Sequence, residues 1–424
     1  MGEHPVRLTV TDDLRWSRLT VFFRLLLAIP HFIWWTLWTI AALLAAVANW
    51  FATLFAGRAP EALHRFLSAY VRYSTHLSAY IFLAANPYPG FTGDPGYPVD
   101  VELGEREPQR RWVTGLRILL MIPALVIASV FEGTGHAAWL AEDEQRAAWS
   151  GGTLITAAFL GWFVCVVLGR MPQGFRDLQA YGLRYLAQFA AYGLVLTDRY
   201  PNADPDDPPA TGPDHPVRLN VDDDLRRSRL TVFFRLLLAL PHFVWITLWW
   251  VAAIFAAIAA WIVALITGRP PAALNRFLSA FVRYASHLSA YVALAANPFP
   301  GFTGTAGSYP VDPVLPPPDR QRRVVTLFRL FLALPAFAVS GAISGLLLVG
   351  AFLGWFASLA LGRMPHSLRE AQAYSLRYSA QVLSYLLLVT DRYPYSGTAL
   401  GSPEPEPAPE SPSEPPPAET PAVA

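Results

Sequence analysis

The sequence predicts an all-α integral membrane protein: four repeated transmembrane helical hairpins, each followed by an amphipathic interfacial helix, with short cytoplasmic strands beside them. Three observations carry that prediction. The 424 residues are 54% hydrophobic and only 15% charged, where soluble chains carry about a quarter charged. The charges lie between long apolar runs that hold almost none of them. One pattern of residues recurs four times along the chain.

The repeats set the boundaries. His4-Pro5-Val6-Arg7-Leu8 returns as His215-Pro216-Val217-Arg218-Leu219, and the correspondence continues to Gly90-Phe91 and Gly301-Phe302. Within the first half, Gly57-Arg58, Arg72-Tyr73, Tyr80 and Tyr88-Pro89 align with Gly169-Arg170, Arg184-Tyr185, Tyr192 and Tyr200-Pro201. The last unit repeats them as Gly362-Arg363, Arg377-Tyr378, Tyr385 and Tyr393-Pro394. A first membrane half therefore covers 1–200, with units at 1–91 and 97–200. A Pro/Asp-rich linker follows at 201–214, then a second half at 215–395 with units at 215–302 and 309–395. In the tail at 396–424, residues 401–424 hold nine Pro and five Glu and no basic residue, a composition that predicts an extended, disordered segment.

Residues 1–18 are polar and lack the apolar core and cleavage site of a secretory signal, so the first apolar segment is expected to remain as an anchor. The run at 22–56 would be roughly 52 Å long as one helix at about 1.5 Å per residue, against a hydrocarbon core of roughly 30 Å. That mismatch predicts a hairpin. In the second unit the runs 113–131 and 151–168 flank an insertion at 132–150 that carries Glu142, Asp143, Glu144 and Arg146. The fourth unit joins 324–341 directly to 342–361, which places the insertion point outside the bilayer. Trp34, Trp35 and Trp38, repeated as Trp245, Trp249 and Trp250, then fall at the hairpin tip, where an aromatic belt belongs.

A Gly-Arg-x-Pro step leads to the segment 61–85. Its Leu63, Phe66, Leu67, Tyr70, Val71 and Leu77 share one face at helical spacing, with Arg65, Arg72 and His76 elsewhere. It reads as a helix in the cytoplasmic interface. The alternative, a third span, would put Arg72 near mid-membrane at a cost of a few kcal/mol. Alternating stretches at Val6–Val10, Val99–Leu103 and 217–221 read as strands.

All 32 basic residues are Arg, and same-side hairpins leave Arg146 alone on the far side. The positive-inside rule then assigns the near side, with both termini, to the cytoplasm. The absence of Lys, with the Ala and Pro richness, points to a GC-rich bacterium and so to a bacterial cytoplasmic membrane. No continuous basic face of a soluble domain marks nucleic acid as a partner.

Arg24, Arg117, Arg235 and Arg329 lie about one turn inside the apolar runs, where an Arg snorkels to headgroups, either as a plain anchor or as a ligand for anionic lipid phosphate. Arg72, Arg184, Arg283 and Arg377 on the amphipathic segments are a second headgroup-binding set. Their neighbours His76 and His287 become Gln188 and Gln381 in the even units, so acid–base chemistry there is open only to the odd ones. Pro30, Pro123, Pro241 and Pro335 follow the first set by six residues and predict helix kinks, structural or gating. His31 and His242 are titratable groups inside apolar runs, hence candidates for a proton relay or metal site. Their counterparts are Ala124 and Ala336, which favours packing. The single Cys165 excludes a disulfide framework and a thiol metal site. No metal, cofactor or catalytic motif is expected.

The stretch Phe-Arg-Leu-Leu-Leu-Ala-Ile-Pro-His at 23–31, with Gly57-Arg58, Arg72-Tyr73 and the closing Asn86-Pro87-Tyr88-Pro89 (Asp198-Arg199-Tyr200-Pro201 in the second unit), resembles a bacterial membrane family known as domain of unknown function 4389. The resemblance implies a membrane protein and brings no activity or cofactor; the charged insertion departs from it. The expectation is a non-enzymatic, lipid-binding scaffold or membrane-shaping element, with a protein partner or a spacer role for the acidic tail. A transporter or channel built from internal repeats is the alternative, opposed by the lack of Asp and Glu in the apolar runs.

Overall fold

A computed structural model describes residues 5–11, 14, 16–133, 152–205 and 216–398. In the first unit, strand β1 (Val6–Val10) precedes the short helices α1 (Arg18–Phe22) and α2 (Arg24–Leu27), which lead into one long helix, α3 (Ile29–Ala56). Pro30 sits in the first turn of α3, where its missing N–H is tolerated. Its ring crowds the preceding turn, and the chain breaks step at Ala28. The rod ends at Gly57, whose φ of 72° is the left-handed stop that glycine adopts without strain. A return helix, α4 (Glu61–Ile81), then packs back along the rod.

The second unit comprises β2 (Val99–Leu103), α5 (Arg111–Gly115), α6 (Arg117–Glu132), α7 (Thr153–Leu168) and α8 (Gln173–Gly193). The third comprises β3 (Arg218–Val221), α9 (Arg229–Phe233), α10 (Arg235–Leu238), α11 (Leu240–Thr267) and α12 (Ala272–Val292). In the fourth, β4 (Val311–Val314) precedes α13 (Arg323–Leu327), the rod α14 (Arg329–Leu361) and the return helix α15 (His366–Leu386).

The predicted hairpins inside the apolar runs do not form. In the first, third and fourth units each run is a single rod, which in the fourth continues as helix through Gly341 and Gly345. Trp34, Trp35 and Trp38 accordingly lie along α3 and not at a tip. The second unit holds the same rod with an interruption. Gly182 of α8 faces Phe131 and Leu154 together, and a Cβ on Gly152 would lie 2.0 Å from the Gly133 nitrogen. Helices α6 and α7 therefore abut end to end, and the insertion interrupts a helix where a link between two arms was expected. Residues 134–151, including Glu142, Asp143, Glu144 and Arg146, lie outside the described residues, as do 206–214 of the linker, His215 and 399–424 of the tail.

The hairpin that does form is rod against return helix, in antiparallel register. Arg24 meets Tyr80, His31 meets Tyr73, Trp35 meets Ser74 and Thr39 meets Tyr70. The return helices are not an interfacial fringe. They form a middle layer, with rods below and two-stranded antiparallel sheets above, β1 on β2 and β3 on β4. Strand β4 was not anticipated, because Pro313 obscures its alternation.

Within each half the two units grip each other reciprocally. Trp50 Nε1 donates to the Thr114 carbonyl (2.7 Å), and Trp162 Nε1 donates to the Val21 carbonyl (3.2 Å). The Gln109 amide donates to Gly57 O, and the Trp16 amide donates to Gly169 O. The start of each unit is thus seated on the end of the other. The halves join where α14 packs on α6 and α7, close enough that a Cβ on Gly345 would meet Val130 at 2.8 Å. One apolar core runs through both, from Leu67 and Val71 through Phe131 and Leu154 to Ile343 and Tyr374.

Candidate functional site

The large exposed apolar side chains belong mainly to the rods. On α3, Ile33, Leu44 and Phe55 are 63%, 71% and 74% exposed. Phe159 and Val167 on α7, Phe255 and Ile266 on α11, and Phe331 and Leu348 on α14 continue the same surface. The inner stripe of α3, His31, Ala42, Asn49 and Thr53, is buried at helical spacing. Exposed apolar surface on this scale marks an interaction site.

Behind that surface lie the four arginines that the sequence assigned to headgroups. They are at most 2% exposed and do not reach a headgroup layer. Arg24 Nη1 donates to the carbonyls of Tyr80 (2.6 Å) and Ala85 (2.9 Å), and Nη2 to Asn86 Oδ1 (3.2 Å). Arg235 does the same with Tyr291, Ala296 and Asn297. In the even units Arg117 donates to the carbonyls of Tyr192 and Thr197, and Arg329 to those of Tyr385 and Thr390. Their third acceptors are Gln109 Oε1 and Gln321 Oε1, each at 2.8 Å. Every guanidinium also lies over the ring of its tyrosine, at 4.3 to 4.6 Å.

The reason for burying a charge here is the end of the return helix. Its last carbonyls carry partial negative charge and no intrahelical partner, and the next turn passes through Leu83, Val195, Leu294 or Leu388 with φ near +60°. Left-handed Leu and Val are strained, and the arginine fixes the carbonyls on both sides of each.

Three members of the second arginine set are also engaged by protein. Arg72 Nε donates to Val101 O (3.1 Å) and pairs with Asp100 (3.4 Å). Arg184 and Arg377 donate to the carbonyls of Asp204 and Gly397. Arg283 is half-buried, one turn before His287. Protein acceptors thus occupy the guanidinium groups at seven of the eight positions assigned to headgroups, all but Arg283. The sequence could not show acceptors that are mostly main-chain carbonyls far along the chain.

His76 Nε2 lies 2.8 Å from Asp100 Oδ1, whose Oδ2 accepts from the Gly96 amide; His287, Asp312 and Gly307 repeat the arrangement. Burial pulls the His76 pKa below its usual value, although the Asp100 carboxylate opposes it. Burial works against the Asp100 carboxylate, yet the amides of Gly96 and Val101 and the His76 ring hold its pKa below the ordinary range. In the even units Gln188 donates to Val6 O and Gln381 to Val217 O. A glutamine makes the same helix-to-strand link, so the pair acts as a pin.

His31 and His242 are fully buried. Their Nδ1 atoms lie 2.9 and 2.8 Å from the hydroxyls of Tyr73 and Tyr284, and their rings stack on Phe91 and Phe302. Pro241 begins α11 as Pro30 begins α3, whereas α6 and α14 run on through Pro123 and Pro335. Cys165 is buried beside Met171. Among the described residues no group of three His, Cys, Asp or Glu could hold a metal ion.

The geometry defines a mostly helical, four-fold repeated protein with, among the described residues, three helices, Ile29–Ala56, Leu240–Thr267 and Arg329–Leu361, long and apolar enough to cross a membrane. The family model described as Domain of unknown function (DUF4389) matches residues 18–92, 149–203, 229–303 and 323–397, and the chain belongs to that family. No curated protein and no solved structure matches it.

Proposed function

We propose that this protein is a non-enzymatic, lipid-bound scaffold of the bacterial cytoplasmic membrane, its polar layers and both termini on the cytoplasmic side. The supporting observation is the exposure of the rods. Side chains such as Leu44 and Phe55 lie open on one layer, while the sheets two layers away expose Arg7, Thr9 and Glu102. Membrane lipid is the partner that covers such a layer. A solvated spacer is the role proposed for the acidic tail, and no nucleic acid, cofactor or metal enters this reading. The transporter alternative gains no support from the rods, which present no Asp or Glu along α3, α11 or α14.

Purified full-length protein reconstituted into vesicles provides the test. The expected result is flotation with the vesicles through high salt and alkaline carbonate, with altered vesicle shape and no leak of trapped ions. Ion or solute flux abolished by Pro30→Ala or His31→Ala would replace the scaffold with the transporter.

A further inference from the structure

The layers also fix how the rods sit in lipid, provided that the lipid-bound reading above holds. At mid-length of the apolar run 22–56, Trp38 stacks on Tyr73 of α4 at 5.0 Å. From the far face of α4, Arg72 reaches Val101 and His76 reaches Asp100, both on β2. The first sheet therefore lies over the central part of that run. In a rod that crossed the bilayer, mid-length would be the bilayer centre. Exposed Arg7 and Glu102 on the sheet would then stand at that depth. Ionised groups are strongly disfavoured in hydrocarbon.

Turning the rods parallel to the membrane removes the conflict. Packed helices lie about 8–10 Å apart and the sheet adds a similar step, so the sheets stand roughly 20 Å above the rod axes, in water. The ends of the rods agree with this orientation. Because each unit starts on the end of the other, exposed Arg18 and Arg170 lie at one end of the first pair, and exposed Arg58 and Arg111 at the other. Crossing rods would divide these arginines equally between the two sides, against the positive-inside asymmetry. Rods lying flat bring all four to one headgroup layer, where guanidinium and phosphate make bidentate pairs.

We propose that the four rods lie along the membrane plane, sunk into one leaflet, with the exposed arginines at both ends of each rod on the headgroup phosphates of anionic lipids. The ligand is thus the phosphate of a lipid leaflet, gripped around an apolar plate.

The test uses full-length protein in a Cys165→Ser background, in vesicles of phosphatidylcholine with phosphatidylglycerol. A fluorophore is placed in turn at I33C, L44C and F55C, which are exposed on nearly one face of α3 and span about 33 Å of it. Nitroxide lipids quench from a shallow or a deep acyl position. Flat rods give the same shallow-to-deep quenching ratio at all three sites. Deep quenching at L44C with shallow quenching at I33C and F55C would overturn the orientation and leave the lipid-bound scaffold standing. No quenching at any site would overturn the scaffold itself.

In the same vesicles, the combined R18Q, R58Q, R111Q and R170Q variant should lose the preference of the protein for phosphatidylglycerol over phosphatidylcholine by about fivefold or more, given the attraction expected of each arginine near an anionic surface. An unchanged preference would overturn the phosphate assignment.

Discussion

The rods of the first and third units and those of the second and fourth derive from one repeat and occupy different surroundings. Rods α3 and α11 are mostly exposed, and each carries a buried histidine ring, His31 or His242, against its return helix. Rods α6–α7 and α14 pack on each other at the junction of the halves, and there the same positions are Ala124 and Ala336. Further along, Asn49 and Ala260 in the outer rods become Gly161 and Gly354 in the inner ones. A Cβ on either glycine would lie within 3 Å of Met171 or Met364. Small residues admit close helix contact, and the inner units have lost side-chain volume where the outer ones keep rings. Position in the assembly, more than ancestry, sets the residue. The arginine clamp shows the same split: its third acceptor is a half-buried Asn86 or Asn297 in the outer units and a buried Gln109 or Gln321 in the inner ones.

The largest effect expected from breaking this contrast is at the clamp. Arg329→Leu strands the carbonyls of Tyr385 and Thr390 and the Gln321 side chain in a buried site, and thermal unfolding in detergent should record a loss of about 3–5 kcal/mol. Arg235→Leu should cost less, because Asn297 can turn to water; equal losses would show that the third acceptor does not matter. Where Gly354 meets Met364 of its own unit, Gly354→Ala should cost at most about 1–3 kcal/mol by overpacking, less whatever the Met364 side chain recovers by turning aside. The outer counterpart Ala260→Gly should cost about 1 kcal/mol or less. A reversed order in the same assay would remove packing as the reason for the split.

The smallest effect is in pH. The His76 pKa is lowered from 6.5 in the folded chain, so below that pH the unfolded state binds more protons. Stability associated with the neutral ring is present above pH 6.5 and is lost as pH falls below it. His76→Gln, which installs the residue of the even units, should flatten the decline in unfolding midpoint between pH 7.5 and 5. The slope attributable to this one group stays under about 1.4 kcal/mol per pH unit.

The repeats, the strands at Val6–Val10 and Val99–Leu103 and the 21-residue return helices were legible because each rests on pattern within a short window. The hairpins misled because the length of an apolar run was weighed against a perpendicular crossing. The run sheds its first residues into α1 and α2 and continues as the single helix Ile29–Ala56. Arg24 and its counterparts misled for a different reason: an arginine among leucines looks interfacial unless its acceptors are known. The one available signal was the matched recurrence of Arg24 with Tyr80, Arg235 with Tyr291 and Arg329 with Tyr385. Asp100, missed as the partner of His76, sits inside the alternating stretch Val99–Leu103, where an acidic residue reads as solvent-facing; Asp312, the partner of His287, lies where Pro313 obscures the strand.

The reciprocal seating of units has an evolutionary consequence. Trp50 of one unit rests on Thr114 of the next, and Trp162 returns the contact to Val21, so a lone unit would have both of its ends uncovered. An ancestral gene encoding a single copy would have had to associate with its twin to obtain these contacts, and fusion of the two copies made that association permanent. Inheritance and truncation should therefore respect pairs: half of this chain is the smallest fragment that keeps the reciprocal end contacts, although it opens the core the halves share.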